Sequence, residues 1–206
     1  MTPERWKAAQ DFWNAKARVP GDITPGDQDA LAARDTDLLL EALPRCFVES
    51  ADVLDLGCGE GRLSEELADR CRSYVGCDLG CVAVERARSR HPALRFVYLA
   101  GLATFAREAP KVGLVVSWTV FMHFNPEDAG WWLRQVREKL KTGDYASIQL
   151  SLLRHDPENY VDAVSDGDFW TGRWWPPERF EALARSAGFG VAARTNAEFD
   201  IWLMRK

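Results

Sequence analysis

The chain has 206 residues, 47% hydrophobic and 28% charged, with a formal net charge of −5. That length suits one domain with a sizeable core, and the mixture is that of a soluble globular protein. The acidic balance and the absence of a basic run disfavour a nucleic-acid partner, and no apolar stretch approaches the ~20 residues that span a bilayer. The first residues, Met1 to Trp6, lack the apolar core of a signal peptide. The five cysteines, Cys46, Cys58, Cys71, Cys77 and Cys81, are odd in number and show no C-x-x-C pair, which reads as reduced thiols of a cytoplasmic protein. Cys77 should point into a sheet layer, which disfavours a metal site built from Cys71, Cys77 and Cys81, and no metal is expected.

A helix is predicted over 3–18, broken twice by Val19-Pro20-Gly21-Asp22 and Thr24-Pro25-Gly26-Asp27. A second, over 28–43, ends before Pro44. Strands and helices then alternate: strand 52–56, helix 60–70, strand 73–77, helix 81–90, strand 94–98, a short helix at 103–108, strand 112–117 and helix 126–141. The last of these helices opens on Asn125 as N-cap with Pro126 at its first position. Lys141-Thr142-Gly143-Asp144 turns the chain into strand 145–151. An irregular stretch, 152–176, is long enough to be a lid or binding loop. Helix 178–187 stops at Gly188, and two β segments, 189–195 and 198–204, turn at Asn196-Ala197 as an antiparallel hairpin. Alternating elements of this kind imply a doubly wound, mostly parallel α/β sheet with helices on both faces.

The segment from Val53 to Leu63, V-L-D-L-G-C-G-E-G-R-L, carries the chemistry. An apolar strand ends in Asp55 and runs into a turn built on Gly57, Gly59 and Gly61. In open α/β sheets this strand–loop–helix junction is where nucleotide-like ligands bind. A dinucleotide fingerprint needs glycine at the sixth position of G-x-G-x-x-G, but that position is Arg62. Asp78 closes the next strand, where a carboxylate can accept hydrogen bonds from ribose hydroxyls.

The string Asp55-Leu56-Gly57-Cys58-Gly59-Glu60-Gly61 resembles motif I of class I S-adenosylmethionine (SAM) dependent methyltransferases, small-molecule type. The resemblance covers residues 45–206. It implies a Rossmann-like sheet of seven strands with an antiparallel C-terminal strand, preceded by an N-terminal helical lid over residues 1–44. The cofactor would be SAM, leaving as S-adenosylhomocysteine (SAH). Asp55, Gly57, Cys58 and Gly59 would contact its methionine half, Asp78 its ribose, and Leu79 its adenine. Many relatives place G-D-A after the third strand. Here the stretch is Tyr98-Leu99-Ala100-Gly101-Leu102-Ala103, with no acid, which leaves adenine to backbone groups near Gly101 and Leu102.

Leu114 to Phe124 resembles motif IV of the small-molecule enzymes, so Ser117 and Trp118 would border the methyl group. His123 is then the candidate general base, since an imidazole near neutrality suits proton removal from a nucleophile. Its alternative reading is a packing or helix-capping histidine. Neither the N-P-P-Y tetrad of nucleobase amine methyltransferases nor the paired-glutamate loop of protein arginine methyltransferases is present. The aromatic residues Tyr160, Trp170, Trp174 and Trp175, with Trp118 and His123, would shape a substrate pocket. The implied reaction moves a methyl group to an O or N nucleophile of a small metabolite, for instance in secondary-metabolite tailoring. The oligomeric state, monomer or homodimer, stays open. So do a non-catalytic SAM-binding partner subunit, which the missing adenine acid would suit, and an RNA methyltransferase. A nicotinamide oxidoreductase is argued against by Arg62 and by the lack of a Tyr-x-x-x-Lys pair.

Overall fold

The computed structural model describes residues 1–18, 25–150, 175–195 and 200–206. Their order is α1 (Pro3–Ala17), α2 (Pro25–Leu40), α3 (Arg45–Ser50), β1 (Asp52–Leu56), α4 (Ser64–Ala68), β2 (Ser73–Asp78), α5 (Cys81–Arg90), β3 (Arg95–Tyr98), α6 (Leu102–Glu108) and β4 (Val112–Ser117). A 3-10 turn, Phe121–His123, then leads to α7 (Pro126–Lys139), β5 (Leu140–Gln149), α8 (Pro177–Ser186), β6 (Gly190–Thr195) and β7 (Ile201–Arg205).

The strands form one sheet of order β3-β2-β1-β4-β5-β7-β6. Six run in one direction; β7 runs against them and slots between β5 and β6. This is the expected doubly wound sheet with its antiparallel C-terminal strand. The central strands are apolar on both faces, as strands covered by helices on either side must be. On β4, Val115 faces one core cluster, while Leu114 and Val116 face the other; on β7, Trp202 and Met204 part from Ile201 and Leu203 in the same way. One layer contains Trp6 of α1, Phe105 of α6, Trp132, Leu133 and Val136 of α7 and Phe180 of α8. The other contains Leu39 of α2, Val48 of α3, Leu67 of α4 and Val84 of α5.

Local chemistry sets the helix ends. The Asn125 side chain accepts from the Asp128 N–H at 2.7 Å, with Pro126 at the first helical position. Gly188, at φ +88°, ends α8 while the N–H groups of Gly188 and Phe189 close back onto Arg185 and Ala184 carbonyls. Several expectations shift. Helix α2 begins at Pro25, inside the break expected at Thr24 to Asp27, and ends at Leu40 rather than at 43. Strand β5 begins at Leu140 and runs through the turn expected at Lys141 to Asp144. The helix expected from residue 60 begins at Ser64, because left-handed glycines hold the chain in a turn through Gly61. The helix expected to reach 141 stops at Lys139, because Leu140 already pairs with Val112. Six-residue α3, too short to show a periodic face, is additional. The expected turn at Asn196-Ala197 lies outside the described residues.

Two N-terminal elements reach the carboxyl edge of the sheet. On α1, Gln10 donates to the Leu99 carbonyl at 2.8 Å, and Asn14 accepts from the Val82 N–H at 3.3 Å. The Arg5 guanidinium grips buried Asp128 at 2.8 and 2.6 Å. On α2, the Leu39 carbonyl accepts from Ser147 at 2.6 Å. Phe180, fully buried, stands among Phe121, Trp175 and Trp202 at centroid separations of 6.4, 5.8 and 5.3 Å. Phe180→Ala leaves a cavity there, and urea unfolding should show a loss of about 3–5 kcal/mol.

Candidate functional site

The site starts where β1 ends. Gly57, Gly59 and Gly61 all take left-handed backbone angles, at φ +79°, +55° and +84°. The N–H groups of Gly57 and Cys58 both donate to the Cys77 carbonyl, at 2.8 and 3.1 Å, which ties the loop to the end of β2. A Cβ on Gly57 would lie 2.2 Å from Val120 Cγ2, so that position needs glycine for space as well as for conformation. Among the described residues, a Cβ on Gly59 would meet nothing within 4 Å.

Asp55 stands directly behind this loop, only 3% exposed. The β1–β2 register pairs Asp55 with Gly76 and Val53 with Tyr74, so Tyr74 lies on the face of the sheet that carries Asp55. Glycine at 76 leaves the room that the Tyr74 side chain uses: a Cβ there would stand 2.8 Å from the phenol oxygen. The Tyr74 hydroxyl donates to Asp55 Oδ2 at 3.0 Å and lies 2.8 Å from Ser64 Oγ. Burial pushes the Asp55 carboxyl up to about 7; the Tyr74 hydrogen bond opposes this, the Asp78 charge adds to it and the Arg62 charge opposes it. Asp78, half-buried, accepts from Gly80 N at 2.7 Å and Gly59 N at 3.0 Å. Burial raises its carboxyl too, against the pull of those backbone N–H groups.

Between the glycine loop and the end of β4 lies a cavity of about 220 Å³. Of the residues expected at the site, Asp55, Gly57, Cys58, Gly59 and Trp118 line it together, joined by Glu60, Arg62, Leu63 and Thr119. The buried Cys58 thiol is pushed well up by burial and by the neighbouring carboxylates. Thr119 takes a left-handed φ of +57°, held by its N–H on Gln149 Oε1 at 2.8 Å and its hydroxyl on the Trp118 carbonyl at 2.7 Å. A β-branched residue in that region is strained by roughly 1–3 kcal/mol, which this buried glutamine offsets.

The other expected residues sit elsewhere. Leu79 is half-buried against the apolar core, as is Leu102. Gly101 caps α6, its N–H on Thr104 Oγ1 at 3.1 Å, and a Cβ on it would meet open space. Ser117 does not reach the cavity: it is fully buried, and its hydroxyl donates to the Leu56 carbonyl at 3.0 Å. Trp175 is packed in the core, 1% exposed, with its indole N–H on the Phe121 carbonyl at 3.2 Å. His123 is half-buried outside the cavity lining, edge-on to Trp13 of α1 with 4.9 Å between ring centroids. Tyr160, Trp170 and Trp174 lie outside the described residues.

Sequence reasoning missed Tyr74, Thr119 and the positive role of Arg62. The arginine was visible as the residue after the last glycine; what it pairs with, Asp35 on α2, was not. The cavity presents both signs of charge, carboxylates from Asp55 and Glu60 and the guanidinium of Arg62. That donor set, with a glycine loop open toward the space, fits the cationic centre and zwitterionic amino-acid tail of SAM. Among the described residues no cluster of three or more His, Cys, Asp or Glu side chains could hold a metal ion. None of their helices is long and apolar enough to cross a membrane.

A family model described as a methyltransferase domain matches residues 53–143. A probable S-adenosylmethionine-dependent methyltransferase of Mycobacterium tuberculosis is 36% identical over 80 residues, 39% of this chain and 28% of that protein. The chain thus spans little more than a quarter of the length of such a relative. A ubiquinone biosynthesis O-methyltransferase of Cereibacter sphaeroides is 26% identical over 214 residues, covering 97% of this chain and 83% of that one. Among solved structures, magnesium protoporphyrin IX methyltransferase from Synechocystis with bound SAM superposes with a TM-score of 0.67 at 14% identity, over 98% of this chain and 97% of that one.

The Asp55 carboxyl gives a pH test. Its folded value, about 7, lies above the ordinary 3.8, so the native state holds its proton where the unfolded chain has lost it. Its contribution to stability is complete below about pH 4 and is lost as the pH rises through 7. The stability difference between the native protein and Asp55→Asn should therefore move against the native protein from pH 5 to pH 8 in urea unfolding. Parallel curves would show that Asp55 titrates normally.

Proposed function

We propose that the chain is a class I SAM-dependent methyltransferase, a reading that the methyltransferase-domain match over residues 53–143 supports, and that it methylates an oxygen or nitrogen nucleophile of a small-molecule metabolite. The observation that carries this reading is the cavity in which the glycine loop, Asp55 and Trp118 meet. When bound, SAM supplies a methyl group already activated on a sulfonium. The protein supplies binding, orientation and exclusion of water. Asp55 and the loop hold the charged methionine end, and Trp118 covers it. Asp78, beside the Gly59 N–H, takes the ribose hydroxyls. Leu79 and the backbone at Gly101 and Leu102 take the adenine.

The N-terminal residues 1–44 act in this reading as a lid on the methyltransferase domain of residues 45–206. The hydrogen bonds from Gln10 and Asn14 to the carboxyl edge of the sheet support it. The stretch 152–176 supplies the acceptor's binding loop, with Tyr160, Trp170 and Trp174 as its aromatic residues. His123 takes the acceptor's proton. The name of the ubiquinone relative supports a small organic acceptor.

Calorimetric titration with SAM, SAH and NAD tests the cofactor. SAM and SAH should bind in the micromolar range and NAD should not; Asp78→Ala should weaken both sulfur ligands roughly tenfold or more. Binding of NAD alone would overturn the reading. His123→Ala should lower turnover about 10²-fold or more with SAH affinity unchanged, once an acceptor is found by mass spectrometry. A weakened SAH affinity instead would assign His123 to holding Trp13 and α1.

A further inference from the structure

Among the described residues that line the cavity Arg62 is the one cation, and its environment shows how it is held. Its Nη1 donates to Asp35 Oδ2 at 2.7 Å. Asp35 lies on α2 and is 2% exposed. Its other oxygen, Oδ1, accepts from Arg34 at 2.9 and 2.7 Å. One buried carboxylate therefore sits between two guanidinium groups. Arg62 is engaged through Nη1, while a guanidinium offers five N–H donors in a planar fork. Its side chain is 26% exposed. The fork matches a carboxylate. Of the lining carboxylates, Glu60 is paired with Arg86 at 2.5 Å, and Asp55 is buried. Asp55 and Arg62 thus bring both signs of charge to the lining of one small space.

We infer that Arg62, oriented by Asp35, binds the α-carboxylate of the amino-acid tail of SAM and SAH, and that α2 thereby makes cofactor affinity depend on the N-terminal segment. Arg62 touches the ligand; Asp35 is a positioning residue. This rests on the SAM reading above. It also gives a positive reason for arginine where a dinucleotide fold needs glycine: the side chain that would crowd a pyrophosphate meets a carboxylate instead.

The test compares two probes by calorimetry on the full chain, SAH and its decarboxylated analogue, which differ only in the α-carboxylate. The native protein should prefer SAH by roughly ten- to hundredfold, the range of a charge-assisted hydrogen bond. Arg62→Ala should abolish that preference by weakening SAH alone, leaving the analogue within about twofold, and Arg62→Lys should restore part of it. Asp35→Asn should weaken SAH and not the analogue; because Asp35 is buried, its fold is checked by circular dichroism, and the Arg62 variants decide the matter if it unfolds. Equal weakening of both probes by Arg62→Ala, or of neither, overturns the assignment while leaving the cofactor reading intact. A native protein that binds neither probe removes the cofactor reading, and this inference with it.

Discussion

The site depends on one buried carboxylate. Asp55 ends the apolar run of the central strand and is out of water, where ionisation is costly. Its surroundings make that tolerable. Gly76, directly opposite in the register, makes room for the Tyr74 hydroxyl, which donates to the carboxylate and meets Ser64 behind the loop. Arg62 adds a positive charge from the cavity wall. The same groups that keep Asp55 in place shape the cavity, so stability and ligand recognition are governed by the same atoms. A cationic ligand entering there would complete the charge balance that the protein alone leaves unfinished.

The glycine loop is the second constraint. Three left-handed positions within five residues turn the chain from strand to helix while its N–H groups reach the Cys77 carbonyl and Asp78. The tightness is one-sided. Val120, after β4, leaves no room for a Cβ on Gly57, whereas among the described residues nothing crowds Gly59. The loop is thus braced against β4 on one side and free to meet a ligand on the other. Thr119 carries a strained backbone at that same wall. Strain retained beside a cavity and held by a buried glutamine is characteristic of functional sites.

Much of this was legible in the sequence because the signals were local. The strand ends followed from apolar runs stopped by Asp55, Asp78 and Ser117, and α8 from a proline before it and Gly188 after it. The glycine loop could be recognised since few conformations other than a tight turn need three such glycines. What escaped depends on pairing across the chain. Nothing near Asp35 announces that it meets Arg62, and nothing near Tyr74 announces Asp55; both follow from how α2 and β2 pack, which local patterns do not encode. The burial of Ser117 and Trp175 escaped for a related reason. A hydroxyl at a strand end and an indole near a loop are equally suited to a ligand or to a buried carbonyl, and here carbonyls of Leu56 and Phe121 take them.

The central claim is that Asp55 ionises in answer to a cationic ligand in this cavity. It is tested most directly by the proton balance of SAH binding, measured calorimetrically near pH 7 in buffers of different ionisation enthalpy. The account predicts release of a fraction of a proton per ligand bound, lost in Asp55→Asn, because the ligand's ammonium favours the carboxylate. Tight binding with no proton release, or the same release in the variant, would contradict it.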